Sequence, residues 1–155
     1  MQKSVLTFSE QKEAQEESIN AFIEFFSIKR DLSRIVYTDW TAKDVLGHVA
    51  SWHISFAKNL VDAVNEVKPS PFKGSLTNVN EKEVVLMSKY SVDELIEAIK
   101  KSQKQIRENI GNQNIKSIAY KKGSRDYSPV EHLEVVRNHV NSHLKDLRKI
   151  YNENE

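Results

Sequence analysis

Apolar residues recur at helical spacing in four long stretches of the chain, and short segments containing glycine, proline or polar residues separate them. A repeat of about 3.6 residues places apolar side chains on one face of a helix. The pattern predicts long helices over residues 9–26, 41–66, 91–110 and 128–151, and a shorter helix over residues 78–90. Because the first half of the first helix is polar, we expect its start to project beyond the core.

Helix-capping residues support these boundaries. The last helix has the clearest start, since Ser128 is followed by Pro129 at the first helical position and by Glu131 at the third. Thr41 and Ser91 begin their helices in the same way, each with an acidic residue three positions later. Two prolines in a loop over residues 68–77 end the second long helix.

The predicted fold class is all-α. Four long amphipathic helices bury their apolar faces most simply as a four-helix bundle, here with a short additional helix. Residues 112–127 are ambiguous, and form either a short extended pair or an irregular connection. The loop over residues 68–77 is long enough to permit a crossover. We expect one helical bundle domain over residues 1–155.

Composition narrows the possible functions. The chain has no cysteine, which excludes disulfides, thiolate metal ligands and a cysteine nucleophile. Its net charge of +1 gives no basic field of the kind that binds nucleic acid. The N-terminus lacks the apolar segment of a signal peptide, and no apolar run is long enough to span a bilayer. We therefore expect a cytoplasmic protein that binds neither nucleic acid nor membrane.

Two histidines four residues apart, His139 and His143, are the strongest chemical signal in the sequence. On a helix this spacing puts both rings on one face, with Cβ atoms roughly 5–6 Å apart. Both imidazoles can then converge on one metal ion. The alternative is a structural or surface role for each ring, so the pair needs a third ligand to define a metal site.

The other histidines lie at different angles on their helices. His48 lies beside the apolar stripe of the second long helix, whereas His53 falls nearer its middle and is the better candidate for a core histidine. His132 is on the same side of the last helix as His139, about 10 Å along the axis. It can line the same groove but is too far away to bind the same ion.

Three segments resemble a known family. The segment WTAKDVLGHVASW over residues 40–52 resembles the opening of the second helix in the DinB-like superfamily, and NHVNSHL over residues 138–144 resembles its C-terminal histidine motif. NVNE over residues 78–81 resembles the start of its middle helix. The resemblance spans residues 40–147. The superfamily includes the YfiT-type metal-dependent hydrolases and the bacillithiol- and mycothiol-dependent enzymes.

The resemblance implies a four-helix bundle that holds a divalent ion, usually zinc or nickel, through three histidines. These correspond to His48, His139 and His143. The chain departs from the family at two positions: Ser142 replaces a frequent further histidine, and Asp146 replaces a frequent glutamine. The departures affect the expected substrate and the surroundings of the ligands, but not the three ligand positions.

Two reactions are open for such a site. Three histidines leave a coordination position free, as in catalytic zinc sites. The ion can then activate water for hydrolysis, or bind a low-molecular-weight thiol cofactor for transfer to a small-molecule substrate. Candidate groups that orient the ligands are Asn80, Asn138, Asn141 and Asp146, and the segment Arg125-Asp126-Tyr127 either faces the site or only completes a loop.

The alternative to an enzyme is a non-catalytic bundle protein that binds or senses a ligand as a dimer. The sequence is also compatible with an enzyme that forms a homodimer. A second alternative is a plain interaction bundle in which the histidines never meet. The position of His48 relative to His139 and His143 separates that last alternative from a metal site.

Overall fold

We describe residues 6–119 and 121–153 of a computed structural model. Five helices form most of this part of the chain, namely α1 (Phe8–Ser27), α2 (Ala42–Val64), α3 (Leu76–Met87), α4 (Val92–Asn109) and α5 (Pro129–Ile150). Two short strands, β1 (Ile35–Tyr37) and β2 (Trp40–Thr41), connect α1 to α2. The predicted all-α class and the four long helices are confirmed. The shorter helix, α3, begins two residues before its predicted start and ends three residues before its predicted end.

Each long helix begins with a capping box, in which the N-cap hydroxyl and the acidic side chain three residues later bind each other's backbone N–H. Thr41, Ser91 and Ser128 are the N-caps of α2, α4 and α5, as predicted. The fourth box, Thr7 with Glu10, begins α1 and was not expected from the sequence. The helix starts are therefore fixed locally, by residues within one turn of each N-terminus.

The strands form a small antiparallel hairpin that the helical pattern did not predict. Ile35 pairs with Thr41, and Tyr37 pairs with Trp40. The hairpin packs against the start of α2, since the Ala42 N–H donates to the Arg34 carbonyl over 3.0 Å. Its two strands are the only named strands in the described residues, so the all-α assignment holds.

The bundle brings together helices that are distant in sequence. Helix α4 packs against both α1 and α2, while α5 packs closely against α1 and meets α2 along a shorter stretch. Helix α3 covers one side of α2. The core has two apolar clusters, one around Phe22, Leu46 and Ile99 and the other around Leu60 and Ile106.

The polar first half of α1 does not project beyond the core, so that expectation was wrong. Gln11 and Gln15 are buried. The Gln15 and Gln103 amides exchange two hydrogen bonds of 2.9 and 2.7 Å, and the His53 Nε2–H donates to Gln103 Oε1 over 2.8 Å. Paired amides can be buried because each polar group retains a partner. His53 is therefore a satisfied core histidine, as predicted.

The ambiguous segment over residues 112–127 is mainly an irregular connection with two isolated bridges. Ile118 pairs antiparallel with Tyr127, and Lys121 pairs with Phe72 of the loop after α2. Tyr120, which belongs to this segment, lies outside the described residues. None of the helices in the described residues is long and apolar enough to cross a membrane.

Candidate metal centre

Three histidines from two helices meet beside the core. His48 projects from the second turn of α2 and is 3% exposed, while His139 and His143 project from α5 and are partly exposed. The i, i+4 spacing on α5 stacks its two rings on one face. Because His48 meets the pair, the structure excludes the plain bundle in which the histidines stay apart.

The three Nε2 atoms point at one another. The His139 Nε2 lies 3.1 Å from the His48 Nε2 and 2.9 Å from the His143 Nε2. One ligand atom from each residue lies within 4.8 Å of the other two. Nitrogens bound to one tetrahedral zinc at 2.0–2.1 Å are themselves ~3.3 Å apart. The three rings are therefore spaced to share an ion, and their binding of metal stays a prediction.

Burial keeps these imidazoles uncharged. It lowers the pKa of His48 to about 2, with repulsion from the other two rings adding to the effect. Burial also lowers the pKa of His139, and lowers the pKa of His143 to about 4 together with repulsion from His139. A neutral imidazole offers a lone pair to a metal, whereas a protonated one repels it. The cluster is thus in the protonation state that a cation needs.

A tyrosine from the hairpin orients one ring of the cluster. The Tyr37 hydroxyl donates to Asp146 Oδ2 over 2.6 Å and lies 2.8 Å from His143 Nδ1. With its proton directed at Asp146, the hydroxyl accepts from His143 Nδ1–H, which leaves the His143 Nε2 lone pair free for the cluster. A ligating imidazole usually donates its second N–H in this way.

A second hairpin residue packs on the cluster. The Trp40 ring lies 4.9 Å from the His48 ring, and 6.2 Å from the Tyr37 ring. The hairpin thus contacts two of the three histidines from outside the bundle. Tyr37 was missed in the sequence, although Ile35-Val36-Tyr37 is a β-branched and aromatic run of the kind that forms strands.

The remaining polar candidates have other roles. Asp146 acts on His143 through Tyr37, but Asn138 and Asn141 are exposed and make no side-chain hydrogen bond within the described residues. The Asn80 amide oxygen accepts from Trp52 Nε1–H over 2.7 Å, which ties α3 to α2. Asn80 therefore supports the wall beside the cluster without touching a histidine of it.

The segment before α5 completes a loop. Arg125 pairs with Glu131 over 3.1 Å and donates to the Asp126 carbonyl, and the Tyr127 backbone pairs with Ile118. Arg125 and Asp126 therefore complete the loop, whereas the Tyr127 ring lies edge-on to the His132 ring, with centroids 6.2 Å apart.

A cavity of about 240 Å³ opens directly beside the cluster, with His48 and His139 in its wall. Most of its other lining residues are apolar, among them Val49, Trp52, Phe56, Leu76, Val136 and Val140. His132 also lines it but does not belong to the cluster, as its position on the last helix predicted. A small molecule bound there would lie next to the converging nitrogens.

Comparisons with known proteins give matches at the level of structure only. No protein-family model matches the chain, and no curated protein matches it by sequence. The chain is similar to the crystal structure of a mycothiol-dependent maleylpyruvate isomerase, with a TM-score of 0.74 and 16% identity over 92% of this chain. A histidine-to-alanine variant of that enzyme gives a TM-score of 0.71 and 17% identity.

The described chain spans 61% of the length of the isomerase structure. At this level of identity the likeness concerns the fold. The chain has the DinB-like fold, as the resemblance predicted.

Proposed function

We propose that this protein is a divalent-metal-dependent enzyme acting on a small molecule, with an external low-molecular-weight thiol as its second reactant. The observation that carries the proposal is the convergence of three Nε2 atoms at the mouth of a cavity. His48, His139 and His143 would hold the ion, and zinc and nickel are the metals that suit three imidazoles in this family. A bound ion of this kind supplies Lewis-acid activation of a thiol or a water molecule.

The chain's own residues prepare the site in three ways. Burial keeps the ligand imidazoles neutral, Tyr37 directs the His143 lone pair inward, and Trp40 covers the His48 ring. Three protein ligands leave room for an exogenous one, the arrangement typical of catalytic rather than structural zinc.

The structural comparison favours thiol transfer over hydrolysis. The structurally similar isomerase depends on mycothiol, according to its name. The chain itself has no cysteine, so any sulfur nucleophile must be supplied from outside. Hydrolysis by an activated water is the second candidate, because the same free position accepts either nucleophile.

The test uses untagged protein loaded with Zn²⁺, the thiol N-acetylcysteine and the electrophile monochlorobimane. In the reaction a sulfur–carbon bond forms, chloride leaves with the bonding electrons, and the thiol proton passes to the buffer. We expect a rate above the uncatalysed one that disappears with a chelator and in His139→Ala. The matched control is Asn138→Ala, the exposed neighbour on the same helix, which should keep the rate.

A parallel assay with p-nitrophenyl acetate and no thiol separates the two reactions. Zinc-dependent ester hydrolysis without thiol transfer would show that the protein is a hydrolase and not a transferase. If zinc-loaded protein accelerates neither reaction, the enzymatic proposal is contradicted, and ligand binding becomes the preferred role.

A further inference from the structure

The cavity that His48 and His139 help to line has a wall that runs from the core to the surface. Val49 and Val140 belong to the wall and are 2% and 1% exposed, whereas Leu76 and Val135 belong to it and are 44% and 36% exposed. An apolar cavity of about 150 Å³ holds a benzene molecule. With a volume of about 240 Å³, this cavity has room for a larger group, of roughly ten carbon atoms.

The cavity wall carries no formal charge. Among the described residues that line it, none is Lys, Arg, Asp or Glu. Burial lowers the pKa of His53 and of His132, two further residues of the wall, to about 4, so both rings are neutral near pH 7. An ion in the cavity would lose its hydration without gaining a partner of opposite charge, which strongly disfavours binding.

Several polar groups of the wall are already paired or enclosed. The Trp52 Nε1–H donates to Asn80 Oδ1 over 2.7 Å, and the His53 Nε2–H donates to an amide oxygen of the core over 2.8 Å. Asn59 Oδ1 and His132 Nδ1 each expose less than 1 Å², so a molecule in the cavity cannot form hydrogen bonds with them. The surface that the wall presents to a ligand is therefore mostly apolar.

We infer that the cavity holds an uncharged apolar group of the substrate, an aryl or branched alkyl group of roughly ten carbon atoms, and excludes carboxylate, phosphate and ammonium groups. Trp52 and Phe56 supply aromatic rings for this contact, and Val136 supplies an aliphatic side chain. The inference rests on the proposed function only in treating the bound molecule as the substrate. It makes Val136 a specificity-determining residue.

The test compares three probes that share one phenyl ring: methyl benzoate is neutral, benzoate is an anion and benzylammonium is a cation. Dissociation constants are measured from amide shifts in ¹⁵N NMR spectra. The protein is first treated with a chelator, because benzoate can also bind a metal ion. We expect methyl benzoate to bind roughly tenfold more tightly than either ion, with the largest shifts at wall residues of α2 and α5.

A variant that fills the cavity should weaken the binding of the neutral probe. Val136→Phe places a larger side chain in the wall, so the affinity for methyl benzoate should fall roughly tenfold. Val85→Phe is the matched control, since Val85 is 70% exposed on α3 and does not line the cavity.

A variant that adds a cation to the wall should change the preference between the probes. Val135→Arg is made at an exposed wall position, so it tests the inference even if Val136→Phe does not fold. It should tighten benzoate binding roughly fivefold and change methyl benzoate binding by less than about twofold. Asn138→Arg is the matched control, because it adds the same charge to an exposed position of α5 outside the wall.

If benzoate or benzylammonium bound as tightly as methyl benzoate, the inference would be overturned. Methyl benzoate that does not bind up to its solubility limit, or that shifts amides away from the wall, would overturn it too, as would variants that behave like their controls. A separate Zn²⁺ titration keeps the two proposals apart. Protein that prefers methyl benzoate but does not bind zinc would contradict the proposed enzyme alone, and protein that binds zinc without this preference would contradict the inference alone.

Discussion

His48 and His53 lie five residues apart on α2, yet the partners of their ring nitrogens differ. His53 is buried, Gln103 accepts its hydrogen bond, and Gln15 pairs with Gln103 in turn. His48 faces two other histidines, and its Nε2 meets only another ring nitrogen of the cluster. Histidine therefore supports the core at position 53, whereas at position 48 it belongs to the candidate metal centre.

The two histidines differ in where their polar partners come from. The hydrogen bonds among His53, Gln103 and Gln15 form a self-contained network, because donors and acceptors within the core satisfy one another. At the cluster three ring nitrogens converge on one another, an arrangement that, in our proposal, a cation completes. Mutations in the two regions should therefore separate stability from metal binding.

The largest effect is expected from removing one ligand of the cluster. In His139→Ala the affinity for Zn²⁺ should fall by more than roughly a hundredfold, because two imidazoles hold the ion far less tightly than three. Stability without metal should change by less than about 1 kcal/mol, since His139 is partly exposed beside the core. Zinc titration calorimetry and urea unfolding measure the two quantities. Unchanged zinc affinity would remove His139 from the site.

A variant in the hydrogen-bond network of His53, Gln103 and Gln15 should instead lose stability and keep its zinc affinity. Gln103→Leu keeps the volume but leaves the His53 N–H and the Gln15 amide without partners, at a cost of about 2–3 kcal/mol in the free energy of unfolding. Zinc affinity of the folded protein should be retained. Urea unfolding in the presence of a chelator checks the first point. A variant as stable as wild type would show that this hydrogen-bond network contributes little to the stability of the protein.

A smaller effect is expected from the tyrosine that links the hairpin to the cluster. Tyr37→Phe removes the hydroxyl between His143 and Asp146 while keeping the ring against Trp40, so zinc affinity should fall about 10–100-fold. Urea unfolding without metal should show a change below about 1 kcal/mol. Lys43→Met, on the first turn of α2 and outside the cluster, is a control. If both variants bind zinc like wild type, Tyr37 does not position His143.

The effect that is smallest at neutral pH concerns the dependence of stability on pH. The pKa of His53 is lowered to about 4 by burial, below its value of about 6.5 in the unfolded chain. Between these values the unfolded state binds the extra proton, so stability is complete above about pH 6.5 and falls as the pH drops towards 4. His53→Gln keeps a donor for Gln103 but cannot titrate.

This variant should flatten the slope of unfolding free energy against pH by about 1.4 kcal/mol per pH unit in that interval. Urea unfolding at several pH values, with a chelator present, gives the slope. An identical slope in wild type and variant would mean that protonation of His53 does not contribute to the loss of stability in this interval.

Local signals explain why so much of the fold was predictable. Ser91 and Ser128 cap their helices through residues within one turn, and the apolar periodicity of α5 places His139 and His143 together. These features depend on neighbours three or four positions away. A single sequence contains all the information they need.

Long-range pairing explains the errors. The local sequence predicts that Gln15 belongs to a polar stretch outside the core, because its partner, Gln103, lies 88 positions away on α4. Tyr37 was missed because strands of two or three residues leave little pattern, and because Asp146 lies 109 positions later. Neither contact follows from local periodicity.

In the proposed metal centre, His48, His139 and His143 hold one ion and leave a coordination position for an exogenous ligand. Zinc K-edge X-ray absorption on untagged, zinc-loaded protein tests it most directly. We expect three imidazole nitrogens at about 2.0–2.1 Å and one further light atom that is replaced by sulfur when N-acetylcysteine is added. Fewer than three imidazole ligands would contradict this arrangement. So would a coordination shell that stays unchanged when the thiol is added, because protein side chains then fill it.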